Sequence, residues 1–215
     1  MDGAWLFVTA GHCLRQIEQN ERSGYSISCR LHDTGGEGAV YPGFVPFDFS
    51  GAPKLHLRDD HYDYGIIEID DVTKRTLAAN NVQPLDESVW DKQPDLPSDF
   101  RLLGVPADSV VIEGRRTRFR SVLVQIEELP ERPPYFEECD APTFYGRLVS
   151  GDELPDIEGM SGGPIFSFQR LESGELRYWL HAVQSRWIPE HRVIAACKTA
   201  PFFRWLRLER EAAAV

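Results

Sequence analysis

Short apolar runs rich in β-branched and aromatic residues, separated by turn residues, make up most of this chain. That pattern predicts an all-β protein. In the first half, strands are expected over residues 5–9, 25–32 and 64–69, with two more between residues 39 and 57, and Gly35-Gly36 and Pro53 mark turns. Residues 71–99 break the pattern: they are polar and carry Pro84, Pro94 and Pro97. They read as a linker with one helical turn near residues 73–79. A second β-rich block follows, with strands expected over residues 100–105, 117–127, 143–149, 164–168, 175–185 and 192–197. Four prolines, Pro130, Pro133, Pro134 and Pro142, mark an excursion between the second and third of these. At the end, Thr199 and Pro201 precede Phe202, Phe203, Trp205 and Leu206, the start signal and apolar stripe of a helix. Arg204, Arg207 and Arg210 fall on its other face.

Composition narrows the class. The 215 residues are 42% hydrophobic and 27% charged, which excludes wholesale disorder, a collagen-like chain and a coiled coil. No apolar run reaches the 18 residues of a membrane-spanning helix, so no membrane partner is expected. The net charge of −11 is the wrong sign for a global nucleic-acid footprint. Arg116, Arg118 and Arg120 alternate along one strand face and read as a solvated exterior. The cysteines, Cys13, Cys29, Cys139 and Cys197, show no CxxC or zinc-like spacing and suit free thiols in a reducing compartment. Met1-Asp2-Gly3-Ala4-Trp5 shows no secretory signal, and a cytoplasmic location is the expectation.

Three segments carry chemistry. In Glu158-Gly159-Met160-Ser161-Gly162-Gly163-Pro164 a serine sits among glycines on a tight turn. Its hydroxyl is exposed there, and the N–H groups of Gly159 and Ser161 can hold a developing oxyanion. A serine needs a base to become a nucleophile. Val8-Thr9-Ala10-Gly11-His12-Cys13 supplies a histidine at the end of an apolar strand, before a turn. Asp63-Tyr64-Gly65-Ile66-Ile67 opens a buried-looking strand with an acid.

Together, TAGHC at 9–13, DYGII at 63–67 and GMSGGP at 159–164 resemble the trypsin-like, chymotrypsin-fold serine peptidases, and they occur in that family's order. The resemblance implies two six-stranded antiparallel Greek-key barrels with a C-terminal helix, one over residues 1–85 and one over 86–215. It makes Ser161 the nucleophile, His12 the general base and then acid, and Asp63 the group that orients His12. Gly159 and Ser161 become the oxyanion hole. The walls of the first specificity subsite would come from residues 154–158 and 185–187, which include Pro155, Glu158, Ser185, Arg186 and Trp187. The implied partner is a peptide or protein substrate, with no cofactor and no metal. An α/β-hydrolase also uses GxSxG, but its acid and histidine follow the serine. After Ser161 this chain has no aspartate.

The chain also departs from the family pattern. Met160 stands where secreted digestive relatives carry the aspartate that receives a newly cut N-terminus. Eleven residues precede His12, so the first barrel is expected to lack two strands. Pro155 replaces the basal aspartate of Arg/Lys-specific relatives, and Trp187 fills a position usually given to glycine, which favours a small or medium apolar side chain. These departures motivate an alternative, a catalytically silent protease-fold module used for binding or sensing. His56, Asp59, Asp60, His61 and Asp63 are metal-capable types, but they lack the register of a zinc site or a calcium loop and read as a polar turn. His181, on an apolar strand, reads as a core residue.

Overall fold

Alternating burial, continuous apolar stretches and turn residues arrange the chain as two units, residues 1–58 with 64–85 and residues 59–63 with 86–215. The computed structural model describes residues 4–27, 29–33, 43–56, 62–90, 99–114, 116–149 and 156–213. Gly35-Gly36, Arg115 and residues 57–61, the centre of the candidate metal-binding turn, lie outside the described residues.

The first unit begins with β1 (Trp5–Ala10), which runs directly into α1 (Gly11–Arg22). Then come β2 (Cys29–Asp33), β3 (Gly43–Phe47), β4 (Lys54–His56), β5 (Tyr64–Ile69) and α2 (Asp71–Ala79). β5 is the central strand, pairing antiparallel with β1 on one side and β4 on the other. Its near-continuous burial matches its apolar sequence. β2 and β3 form a separate hairpin. A first barrel lacking two strands is the expectation; among the described residues the unit holds five strands in two sheets, and a closed barrel is not shown. The expected turn after His12 is corrected, because α1 continues for 12 residues. Its inward stripe is only Leu14 and Ile17, which join Val45, Phe47, Ile67 and Leu77 in one core. A Cβ at Gly65 would lie 2.6 Å from Leu14 Cδ1, so the small residue of the DYG motif makes room for α1 on β5. The described part of the linker holds more helix than the one expected turn, with Asp71–Ala79 and Glu87–Trp90 both helical. Asp70 caps α2 by accepting the Val72 and Thr73 N–H groups at 2.8 and 2.9 Å.

The second unit contains α3 (Glu87–Trp90), β6 (Asp99–Gly104), β7 (Val111–Glu113), β8 (Arg116–Arg118) and β9 (Val122–Glu128). It continues with β10 (Thr143–Leu148), β11 (Pro164–Arg170), β12 (Leu176–Ile188), β13 (Val193–Lys198) and α4 (Thr199–Ala213). Six strands close a barrel in the order β10-β13-β12-β11-β6-β9. The fourth strand in sequence, β11, returns beside the first, β6, which is the Greek-key arrangement. Phe100, Leu102, Val124, Ile126, Phe144 and Leu148 point inward from alternating positions. The strand expected over 117–127 is two elements, because β7 and β8 form a small hairpin of their own. α4 starts at Thr199 and buries Phe202, Phe203 and Leu206, while Arg207 pairs with Glu87 of α3. No helix among the described residues is long and apolar enough to cross a membrane.

His181 on β12 lies in this barrel, 6% exposed, between the rings of Phe100 and Phe144 at 4.9 and 5.3 Å. Neither ring nitrogen has a hydrogen-bond partner among the described residues. Burial, with a smaller contribution from Lys198, pushes its pKa down to about 4. A base depressed in the folded state binds fewer protons there than in the unfolded chain. Its neutral form is thus compatible with folding above about pH 6.5, and stability falls as pH drops from there toward 4. The shift corresponds to about 3 kcal/mol. His181→Leu is expected to flatten the thermal-melting profile over that range, and an unchanged pH profile would show that His181 is not the group responsible.

Candidate active site

The Ser161 turn is built on two buried anchors, Ile157 and Met160, which belong to the barrel core. Met160 is 2% exposed and fills the space over Gly104, so the residue before Ser161 is an apolar foot under the loop. Gly163 N–H donates to Met160 O at 2.9 Å. Gly162 N–H donates to Gln184 O at 2.8 Å, and Gln184 N–H donates back to Gly163 O at 2.9 Å, stitching the turn to β12.

Glu158 O accepts the Ala107 N–H at 2.8 Å. In a trans peptide the C=O and the following N–H point in opposite directions. With the Glu158 carbonyl turned toward Ala107, the Gly159 N–H is turned away from it. This conformation needs φ = +84° at Gly159, which glycine adopts without strain. A Cβ there would also lie 2.9 Å from Ala107 Cβ.

Asp63 belongs to the same unit and is held by Ser185, whose hydroxyl donates to Asp63 Oδ2 at 2.5 Å. Ser185 reaches it because of a β-bulge. Gln184 lies opposite Ala196 and Arg186 opposite Ala195, which leaves Ser185 as the extra residue between them. A cavity of about 20 Å³ beside this pair is lined by Asp63, Ser185, Cys139, Cys197 and Tyr145, among others. Burial pushes the Cys197 thiol up to about 11, so it stands beside Asp63 as a neutral group. All four cysteines are free thiols.

Solved structures similar to this chain include a protease and an inactivated protease paralogue. An inactivated protease paralogue of the scabies mite matches at a TM-score of 0.54 and 16% identity, covering 97% of this chain and 84% of that one. A cysteine-to-alanine variant of tobacco etch virus protease matches at 0.48 and 12% identity, covering 96% and 69%. An inactive serine-to-alanine form of the Mycobacterium tuberculosis protein Rv3671c matches at 0.47 and 14%, covering 94% and 75%. The chain has a protease-like fold. No protein-family model and no curated protein matches the sequence.

Within this fold, His12 stands in the first turn of α1 in the first unit, just after the buried end of β1. Ser161, Gly159, Asp63 and Ser185 belong to the second. Glu158 and Arg186 are exposed, and Pro155 lies outside the described residues. Trp187 is half-buried against the barrel core, and its indole N–H donates to Asp156 Oδ1 at 2.9 Å. Three features escape sequence reading. Ser185 is expected in a pocket wall but is turned onto Asp63. Ala107 has no local signal for its bond to Glu158, and Asp156 reads only as one acid among several on a polar rim. No group of three or more potential metal ligands occurs among the described residues.

Proposed function

We propose that this chain is a serine endopeptidase. The Ser161 hydroxyl attacks the peptide carbonyl, and His12 takes its proton. The tetrahedral oxyanion is held by the N–H groups of Gly159 and Ser161. His12 then returns the proton to the leaving amine, and water releases the acyl group from Ser161 by the reverse sequence. Asp63, held by Ser185, fixes the tautomer of His12 and stabilises its cation. Every step uses the chain's own groups, and the free thiols suit a reducing, cytoplasmic setting.

The observation that carries this reading is the orientation of the peptide between Glu158 and Gly159. Because Ala107 engages the Glu158 carbonyl, a donor rather than an acceptor is turned to the opposite face. The turn holds this form through Met160 and Ala107. A substrate strand has a place to pair as well. β11 accompanies β12 only as far as Val183, so among the described residues Arg186–Ile188 pair with β13 alone. The other edge can accept an extended peptide.

Incubation of the wild type with a peptide library, read by mass spectrometry, is expected to give internal cleavages. A folded protein that cleaves nothing would instead favour the silent binding or sensing module. Gly159→Ala is expected to lower turnover by about 10²–10³-fold, because a Cβ at φ = +84° and 2.9 Å from Ala107 Cβ turns the Glu158–Gly159 peptide and takes away one oxyanion donor, and the same strain lowers the melting temperature. Full activity in that variant would remove the oxyanion role from this turn.

A further inference from the structure

Resting on the peptidase reading above, we infer that Cys139 and Cys197 are a redox pair, and that a disulfide between them loosens Asp63 and switches the site off. Both thiols line the cavity of about 20 Å³ that Asp63 and Ser185 also line. That is room for about one water molecule, so the groups around it are close neighbours. Strand pairing brings the two cysteines there. Cys197 in β13 lies directly opposite Thr143 in β10, and such residues carry their Cβ atoms about 5 Å apart on one face. The Thr143 hydroxyl in turn meets Cys139 Sγ at 4.0 Å.

The two thiols are held differently. Cys197 is buried in a strand paired on both sides, and its sulfur accepts the Asp63 backbone N–H. It is therefore part of what positions the acid, and burial keeps it protonated, with its pKa up to about 11. Cys139 is half-buried in the irregular segment before β10, and its contacts with Ala141 O and Thr143 Oγ1 are long, 4.0 Å each. An oxidant reaches Cys139 first. With hydrogen peroxide, the Cys139 sulfur attacks one peroxide oxygen and the O–O bond breaks. Cys139 becomes a sulfenic acid, and the departing hydroxide takes the thiol proton to give water. The Cys197 sulfur then displaces the sulfenic hydroxyl, which leaves with the Cys197 proton as a second water. Two electrons pass from the sulfur pair to the peroxide. An S–S bond of about 2.05 Å draws Cys197 Sγ toward Cys139 and off the Asp63 N–H. The carboxylate then no longer keeps the fixed position that orienting His12 requires.

The test treats the whole protein with hydrogen peroxide. Disulfides are mapped by mass spectrometry of unreduced digests, and the site is read by its rate of fluorophosphonate labelling. Wild type should give a linked peptide pair containing Cys139 and Cys197 and label at least about 100-fold more slowly, within the roughly 10⁴-fold that loss of the orienting acid costs. Dithiothreitol should remove the link and restore the rate. Cys139→Ser, or Cys139→Ala if the serine variant does not fold, should label like reduced wild type and lose little rate on treatment. Absence of the link, a link with an undiminished rate, or an equal loss in the Cys139 variant would overturn the inference. Reduced wild type that labels normally but forms no link rejects the switch alone. Reduced wild type that does not label rejects the peptidase reading and this switch with it.

Discussion

Ser161→Ala is expected to lower peptide turnover by about 10⁶-fold, the scale seen when a triad nucleophile is removed, without loss of the fold. The hydroxyl is the only group in the proposed mechanism that forms a covalent bond to the substrate, so nothing else in the site can replace it. The substitution removes one oxygen from a turn whose stability rests on Ile157, Met160 and the backbone bonds to Gln184. Circular dichroism and melting temperature should therefore match the wild type. Comparable turnover in the two proteins would transfer the chemistry to another residue.

Asp63→Asn is expected to cost about 10⁴-fold in turnover, because an amide in place of the carboxylate favours the wrong histidine tautomer and leaves the imidazolium without its counter-charge. Ser185 makes this substitution informative. Its hydroxyl donates to Asp63 Oδ2, and a bond from a neutral donor to a charged acceptor contributes roughly 1.5–3 kcal/mol. In the asparagine variant the hydroxyl can rotate to accept instead, so the local packing should survive while the charge is lost. Ser185→Ala should have a smaller effect on turnover than Asp63→Asn, because it releases the carboxylate without neutralising it. The reverse order would indicate that Ser185 acts directly in the chemistry.

The second unit was more legible in the sequence than the first, for physical reasons. In β6, β9 and β10 the inward positions Phe100, Leu102, Val124, Ile126, Phe144 and Leu148 are large and apolar at every second or fourth residue, and the closed barrel buries that face. The Ser161 turn announced itself because glycines are required where φ is positive, as at Gly159 and Gly162. α1 stayed hidden because its inward stripe is only Leu14 and Ile17 amid polar residues, and tertiary packing on β5 and the hairpin supplies what the periodicity lacks. β7 escapes the sequence reading and β8 reads as one strand with β9, because strands of three residues leave too little alternation. Ser185 reads as a pocket-wall residue because nothing in residues 180–188 marks a one-residue bulge. A bulge reverses the side that a residue faces, and it turned an expected wall residue into the partner of Asp63.

The central claim is that His12, Asp63 and Ser161 act as one nucleophilic unit. It is tested most directly by reaction with a fluorophosphonate, with the adduct mapped by peptide mass spectrometry in wild type, Ser161→Ala and His12→Ala. The account predicts a single adduct on Ser161, none in the alanine variant of that residue, and a much slower reaction when His12 is replaced. An adduct on another residue, or labelling at Ser161 that proceeds equally fast without His12, would contradict it.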